Sequence, residues 1–282
     1  MKVLAAALIA FVILSCSPKN ENETKINSDS TKKLVKSFNS IDVKKIFDAD
    51  TAVGCFALYD MNNKKYYYHD SVRCYTGFLP ASTFKIPNSL FFLESGVLKD
   101  ENEKIKWDGV KRWRDEWNQD TDLRMAFKNS TVWFYQECAR RMGLAQMKKF
   151  VDTLNYGNKD ISAGVDVFWL KGKMRISAME QIALVKNIYD NKVPFKQRNI
   201  DILKDIMILE KGDNYTLRGK TGTAVNDDSK VGWLVGYLTT EDNIYFFALN
   251  LDINEGNWKF EERFSIMKNV FEAMEVVKFK TN

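Results

Sequence analysis

The stretch Pro80-Ala81-Ser82-Thr83-Phe84-Lys85 sets a serine three residues ahead of a lysine, where a strand-rich segment gives way to a helical one. Helix positions i and i+3 share a face, so the Lys85 amine is expected beside the Ser82 hydroxyl. A serine in a first turn also lies at the positive end of the helix dipole, among backbone N–H groups with no intrahelical acceptor. A nucleophile, an amine and an anion-stabilising backbone are thereby brought together. Ser-x-x-Lys alone is weak evidence, because it occurs three times: Ser30/Lys33, Ser82/Lys85 and Ser265/Lys268. What singles out Ser82 is what else in the chain converges on it.

Composition narrows the chemistry. A chain of 282 residues holds one large domain or two small ones. Hydrophobic content of 45% and charge of 28% are those of an ordinary globular protein. Seven tryptophans within a 13% aromatic content imply a substantial core and an aromatic-lined cleft. The net charge of +5 comes from scattered Lys and Arg, which suits anionic substrates. Without a basic block or zinc pattern it argues against nucleic acid as a partner. The single histidine, His69, ends an apparent strand. A Ser-His-Asp hydrolase would have to be built on it, and histidine-rich metal sites are excluded, so no metal is expected. If a serine is activated here, lysine is the base.

At the N-terminus, Met1-Lys2 precedes an apolar run over residues 3–14 and then Ser15-Cys16. A charged start, a short apolar run and a small residue before the cut read as an export signal over residues 1–15. The run is shorter than the roughly 20 residues a membrane span needs. Residues 13–16 (Ile-Leu-Ser-Cys) resemble a bacterial lipoprotein box, in which Cys16 becomes lipidated. The alternative is an ordinary secretory peptide. Either way the expected location is exported and periplasmic, with a lipid anchor at Cys16 in the first case. Residues 16–38 are polar and read as a tether, leaving 39–282 as one catalytic domain. Cys55 and Cys74 flank an apparent strand pair; whether they form a disulfide stays open, since spacing does not place two Cβ atoms. Cys138 falls in a helical pattern and reads as a buried thiol.

Along the chain, residues 51–59 read as a buried strand, 60–63 as a turn and 64–69 as a returning strand. A helix is expected from Ser82 to near Gly96, and further helices over 121–128, 130–142, 144–154 and 177–190. Ser177 and Glu180 have capping-box spacing. Strands return at 216–221, 231–239 and 244–251, and an amphipathic helix closes the chain over 258–277. The expectation is an α+β fold of the α/β sandwich type. Its mostly antiparallel sheet is built from both termini and packed by helices, with an all-helical insert.

Lys220-Thr221-Gly222 ends an apparent strand, where a lysine, a hydroxyl and a glycine can hold a carboxylate at close backbone approach. Ser130-Thr131-Val132 opens an apparent helix, Tyr156-Gly157-Asn158 reads as a turn, and Phe168-Trp169-Leu170 reads as core. With Pro80-Ala-Ser82-Thr-Phe-Lys85 these five motifs, in this order, resemble the serine penicillin-recognising enzymes, most closely the class D (OXA-type) β-lactamases. Lys106-Trp-Asp-Gly, Trp117-Asn-Gln-Asp and Phe247-Ala-Leu-Asn-Leu-Asp252 are similar as well, so the resemblance covers about residues 45–275.

The resemblance implies a β-lactamase/transpeptidase-like fold and hydrolysis of β-lactam antibiotics, giving resistance. It implies Ser82 as acylated nucleophile and Lys85, carbamylated by CO2 (N6-carboxylysine), as general base, with no other cofactor. Trp169 would donate to the carbamate, and Ser130 would relay a proton. Lys220, Thr221 and Arg263 would hold the substrate carboxylate. The Ser82 and Thr223 N–H groups would form the oxyanion hole. Gly222, Val132, Leu170 and Trp117 would line the substrate site. The residues supply a reason of their own for the carbamate. It needs a neutral amine, and burial can lower a lysine pKa by about 3–5 units. Phe84, Val132, Trp169 and Leu170 offer apolar walls, and an indole N–H can only donate. A β-lactam sensor that stays acylated, or a peptidoglycan transpeptidase, is the alternative. A sensor is expected to need a membrane relay and a transpeptidase extra domains. Monomer and homodimer both stay open, as does the substrate spectrum, which the loops around Trp117 and between Lys220 and Trp233 would set.

Overall fold

The computed structural model describes residues 43–226, 229–253 and 260–279. The expected signal segment and tether, with Cys16, lie outside the described residues. From the N-terminal side come α1 (Val43–Ala49), β1 (Gly54–Asp60), β2 (Lys65–His69) and α2 (Ser71–Tyr75). A 3-10 turn (Ala81–Phe84) then runs directly into α3 (Lys85–Ser95). Next are α4 (Leu123–Lys128), α5 (Val132–Met142), α6 (Leu144–Thr153), α7 (Ala178–Tyr189) and α8 (Gln197–Ile206). The chain closes with β3 (Ile208–Lys211), β4 (Tyr215–Asn226), β5 (Ser229–Thr240), β6 (Ile244–Asp252) and α9 (Glu262–Ala273).

The strands form one antiparallel sheet in the order β2-β1-β6-β5-β4-β3. The first strand of the N-terminal pair is zipped to the last strand of the C-terminal set, with Ala57 opposite Ala248. This is the expected sheet assembled from both ends of the chain. Side chains alternate across it, as the period of two requires. Cys55, Ala57, Phe246 and Ala248 face the core shared with the helical segment. Phe56, Leu58, Phe247, Leu249 and Leu251 face a second core under α1 and α9. Strands buried on both faces need apolar residues at nearly every position, and β6 (Ile-Tyr-Phe-Phe-Ala-Leu-Asn-Leu-Asp) has them.

Local signals explain most helix limits. Gly96 caps α3 in the left-handed conformation (φ 75°). Pro87 is tolerated in α3 because a first-turn N–H has no intrahelical acceptor to lose. The Ser177/Glu180 capping box at α7 forms in both directions. Two boundaries differ from expectation. Ser82 lies in the 3-10 turn and α3 begins at Lys85. The helix expected from Ser130 starts at Val132, because Ser130 has a left-handed backbone (φ 55°) and Thr131 is the extended N-cap. The helices α1, α2 and α8 and the strand β3 were not anticipated. The last helix is described only from Glu262, and 258–259 fall outside the described residues.

Candidate active site

The serine turn is clamped from behind. Thr83 Oγ1 donates to the Pro80 carbonyl at 2.7 Å, and Gln181 Nε2 of α7 donates to Thr83 Oγ1 at 2.7 Å. Trp233 Nε1 of β5 donates to the Leu79 carbonyl at 3.0 Å. Ala81, just before the nucleophile, is held at φ 49°, a conformation that costs a non-glycine residue on the order of 1 kcal/mol. Three hydrogen bonds and full burial of Ala81 hold the turn in that shape.

Lys85 is fully buried, and its Nζ donates to Ser82 Oγ at 2.9 Å. The expected i, i+3 pairing is therefore made, across the junction of the turn and α3. Burial, and then the positive charge of Lys220, hold the Lys85 amine well below the ordinary lysine value. No carboxylate compensates, so the amine is biased to its neutral form, which can take a proton from Ser82. The Tyr135 ring of α5 faces Lys85 Nζ with its centroid 4.9 Å away, and its hydroxyl is hydrogen-bonded to Ser89 at 2.9 Å. Tyr135 was missed by sequence reasoning. Its only sequence signal is its place one helical turn after Val132.

Trp169 is buried and stacks on Phe84 (centroids 5.6 Å apart, 21° between planes), the residue next to Lys85. Its indole Nε1 has no hydrogen-bond partner. A buried N–H left unpaired costs about 1–3 kcal/mol, so an orphan donor here points to an acceptor that the protein's own atoms do not supply. Phe168 and Tyr156 close the ring around Phe84, with centroids 4.8 and 5.0 Å from it. The Tyr156-Gly157-Asn158 turn is thereby packed behind the serine. Leu170 and Val132 are half-buried.

Strand β4 forms the opposite wall. Gly222 passes the serine turn so closely that a Cβ would sit 3.0 Å from the Pro80 carbonyl oxygen and 3.2 Å from the Thr83 amide nitrogen. Beside it Lys220 is buried, its Nζ donating to the Thr221 carbonyl at 3.2 Å. Burial, then the charges of Arg263 and Arg114, push the Lys220 amine down to about 7. Arg263 rises from α9 behind β4. Its Nη1 donates to the carbonyls of Gly222 (2.8 Å) and Trp233 (2.9 Å), and its Nη2 to Thr223 Oγ1 at 3.2 Å. Burial brings that guanidinium down to about 9. Thr223 itself is exposed on the strand. The structure thus places Arg263 as a brace of the Gly222–Thr223 backbone. Trp117 Nε1 donates to the Asn129 carbonyl at 3.0 Å, which sets its ring beside Ser130. His69 is far from this chemistry: it stacks on Phe47 (4.1 Å), in the core on the other face of the sheet. Among the described residues no cluster of His, Cys, Asp and Glu could hold a metal ion. No described helix is long and apolar enough to cross a membrane. Cys55 and Cys74, left open above, are buried free thiols, and the Cys74 thiol donates to the His69 carbonyl at 3.5 Å.

A serine with a buried lysine base, faced by a cationic strand edge, defines an acyl-transfer enzyme of the penicillin-recognising kind. Residues 52–272 match the family described as penicillin binding protein transpeptidase domain. β-Lactamase OXA-48 of Klebsiella pneumoniae is 44% identical over 207 residues, 73% of this chain and 78% of that protein. The regulatory protein BlaR1 of Bacillus licheniformis is 39% identical over 211 residues, 74% of this chain but 35% of that protein. The crystal structure of the class D β-lactamase YbXI from Nostoc superposes with a TM-score of 0.81 at 42% identity, covering 84% of this chain and 100% of that one. The chain belongs to the penicillin binding protein transpeptidase domain family and, within it, to the class D β-lactamases.

Proposed function

We propose that the protein opens the β-lactam amide through a Ser82 acyl-enzyme and then hydrolyses that ester, conferring resistance on a cell that exports it. The observation that carries this reading is the fully buried Lys85 amine, 2.9 Å from Ser82 Oγ and biased to its neutral form. A neutral amine at that distance takes the Ser82 proton as the hydroxyl attacks. Ser130, at the mouth of α5, passes a proton to the departing nitrogen. Lys220 and Thr221 face the substrate carboxylate, with Arg263 holding the Gly222–Thr223 backbone in place. The N–H groups of Ser82 and Thr223 stabilise the developing oxyanion.

Carbamylation of Lys85 by CO2 belongs to this proposal. The site fits the group: the amine is biased to its neutral form, and Trp169, stacked on Phe84 next to Lys85 in the chain, carries an unpartnered buried N–H. Bound there, a carbamate would supply an anionic oxygen base for deacylation. Export, periplasmic location and lipid attachment at Cys16 are proposed from the leader alone, and labelling cells with radioactive palmitate tests the last. A second reading, a β-lactam receptor that acylates without turnover, is favoured only by the likeness to BlaR1. A chromogenic cephalosporin separates the two. Many equivalents of product per protein are expected, and a single equivalent followed by silence would establish the receptor.

A further inference from the structure

The segment 112–118 is pinned over the end of α5 that carries Ser130. Arg112 N donates to Asn118 Oδ1 at 2.7 Å, Asn118 Nδ2 to the Arg112 carbonyl at 3.0 Å, and Trp133 Nε1 of α5 to the Trp117 carbonyl at 2.7 Å. On this rigid turn stands Arg114. Its guanidinium carbon lies 4.7 Å from the Trp113 ring centroid and 5.7 Å from that of Trp117, and the two rings are 5.9 Å apart. Trp113 is 80% exposed, so its indole is there as a wall rather than as core.

Three features make this arginine unusual. Among the described residues no carboxylate lies within ion-pair distance of it, although Asp115 and Glu116 follow it in the chain and both are exposed. The nearby Asp108 is taken by Arg112 at 2.6 Å. And Arg114 lies near enough to Lys220 for its charge to be felt there, together with that of Arg263. Arg114 and Lys220 have no carboxylate within ion-pair distance among the described residues, and such cations repel one another. Such a group is stabilised when an anion enters among them. Lys220 answers the carboxylate that every penicillin carries on its fused ring. Arg114, on the segment pinned over the Ser130 end of α5, is left for a second anion.

We propose that Arg114, packed against Trp113 and beside Trp117, forms an anion subsite for a carboxylate or sulfonate on the acyl side chain, so that the protein favours dianionic β-lactams. The geometry suits this use. Guanidinium stacks on indole and still presents its N–H edge, and the stacked, preorganised fork loses little freedom when it binds. This inference rests on the reading of the site as a β-lactam pocket.

Benzylpenicillin and α-carboxybenzylpenicillin differ only by the side-chain carboxylate. The readout is the ratio of their kcat/KM values, dianion over monoanion. Arg114→Gln is expected to slow both substrates through the weakened field but to lower the ratio about tenfold, mainly through KM. Trp113→Ala, which frees the guanidinium, should lower the ratio about threefold. Lys111→Gln, the loss of an exposed charge a few residues earlier, should leave the ratio within about twofold. Raising salt from 0.05 to 0.5 M should depress the ratio of the parent protein more than that of Arg114→Gln. An unchanged ratio in Arg114→Gln, with the protein folded by circular dichroism, overturns the subsite. Failure of the protein either to hydrolyse both penicillins or to add their mass at Ser82 would instead overturn the β-lactam reading beneath it.

Discussion

Gly222 and Thr83 touch backbone to backbone: a Cβ on Gly222 would lie 3.1 Å from Thr83 Cγ2 and 3.2 Å from its amide nitrogen. The carboxylate-facing strand and the nucleophile's turn are therefore one packed unit, although 138 residues separate Gly222 from position 84. Gly222→Ala forces the two apart by a few tenths of an ångström. The atoms to be displaced belong to a turn that Gln181 holds through Thr83 Oγ1 and Trp233 through the Leu79 carbonyl, so little can give way. The expected outcome is a stability loss of about 1–3 kcal/mol, typical of overpacking, and at least about tenfold slower acylation. Denaturant melts and stopped-flow acylation check both. Acylation at the parent rate would mean that the strand and turn adjust independently.

The Lys220 amine, at about 7, loses its charge where the enzyme works. Substrate carboxylate binding to free enzyme should weaken as that proton leaves, so kcat/KM should fall on the alkaline side from about pH 7. Lys220→Arg keeps the cation at higher pH and should carry this limb to well above pH 7. A limb that stays put in Lys220→Arg would assign it to another group.

Lys85 gives a stability prediction of definite sign. The unfolded chain holds the Lys85 proton up to about pH 10.4, whereas the folded chain gives it up earlier. Between those points the unfolded state binds more protons, so stability rises with pH through the interval. Lys85→Met removes this penalty. Its advantage over the parent protein should be largest below the interval and shrink as pH approaches 10. Urea midpoints measured at several pH values decide it, and a constant gap between the two proteins would show that Lys85 is not depressed.

How much of this was legible in the sequence depends on the range of the interaction. Ser82 and Lys85 lie three residues apart, and the Ser177/Glu180 box is local, so both could be read directly. The sheet strands were legible from their apolar runs. Three of the four unanticipated elements escaped for physical reasons. In α8 only Asn199, Ile200, Leu203 and Ile206 are buried among charged neighbours, a stripe too narrow to stand out. In α1 only Val43 and Phe47 are buried. Strand β3 has four residues of which two are exposed, at the sheet edge. The helix expected at Ser130 began late because Ser130 closes α4 in the left-handed conformation, its N–H donating to the Phe127 carbonyl at 3.3 Å and the Thr131 N–H to the Ala126 carbonyl at 2.9 Å. Tyr135 and Arg114 matter only through partners distant in the chain, Lys85 and Lys220, and no spacing rule announces such meetings.

The thiols should be silent in the folded protein. Cys55, Cys74 and Cys138 are all buried. Cys55, then burial, raise the Cys74 pKa; burial raises that of Cys138. Thiolate is the reactive form, so a colorimetric disulfide reagent at pH 8 should find almost no thiol until denaturant is added. Denaturation of protein lacking the leader and Cys16 should then release 3 thiols per chain. Release of one thiol would show that Cys55 and Cys74 had become oxidised to a disulfide.

Trp169→Phe separates packing from donation. Phenylalanine keeps the stack on Phe84 but removes the unpartnered Nε1 hydrogen. If that N–H had no role, its removal would relieve about 1–3 kcal/mol of unmet desolvation and leave kinetics alone. If it orients an anion on Lys85, the variant should acylate near the parent rate, accumulate acyl-enzyme, and recover turnover only with added bicarbonate. Labelling with 13C-bicarbonate gives a readout that does not depend on activity. The parent protein should show one protein-bound carbamate resonance, absent in Lys85→Met and weakened in Trp169→Phe. The absence of any such resonance in the parent at saturating bicarbonate would leave Lys85 working as a plain amine. The Trp169 donor would then have to meet the substrate itself.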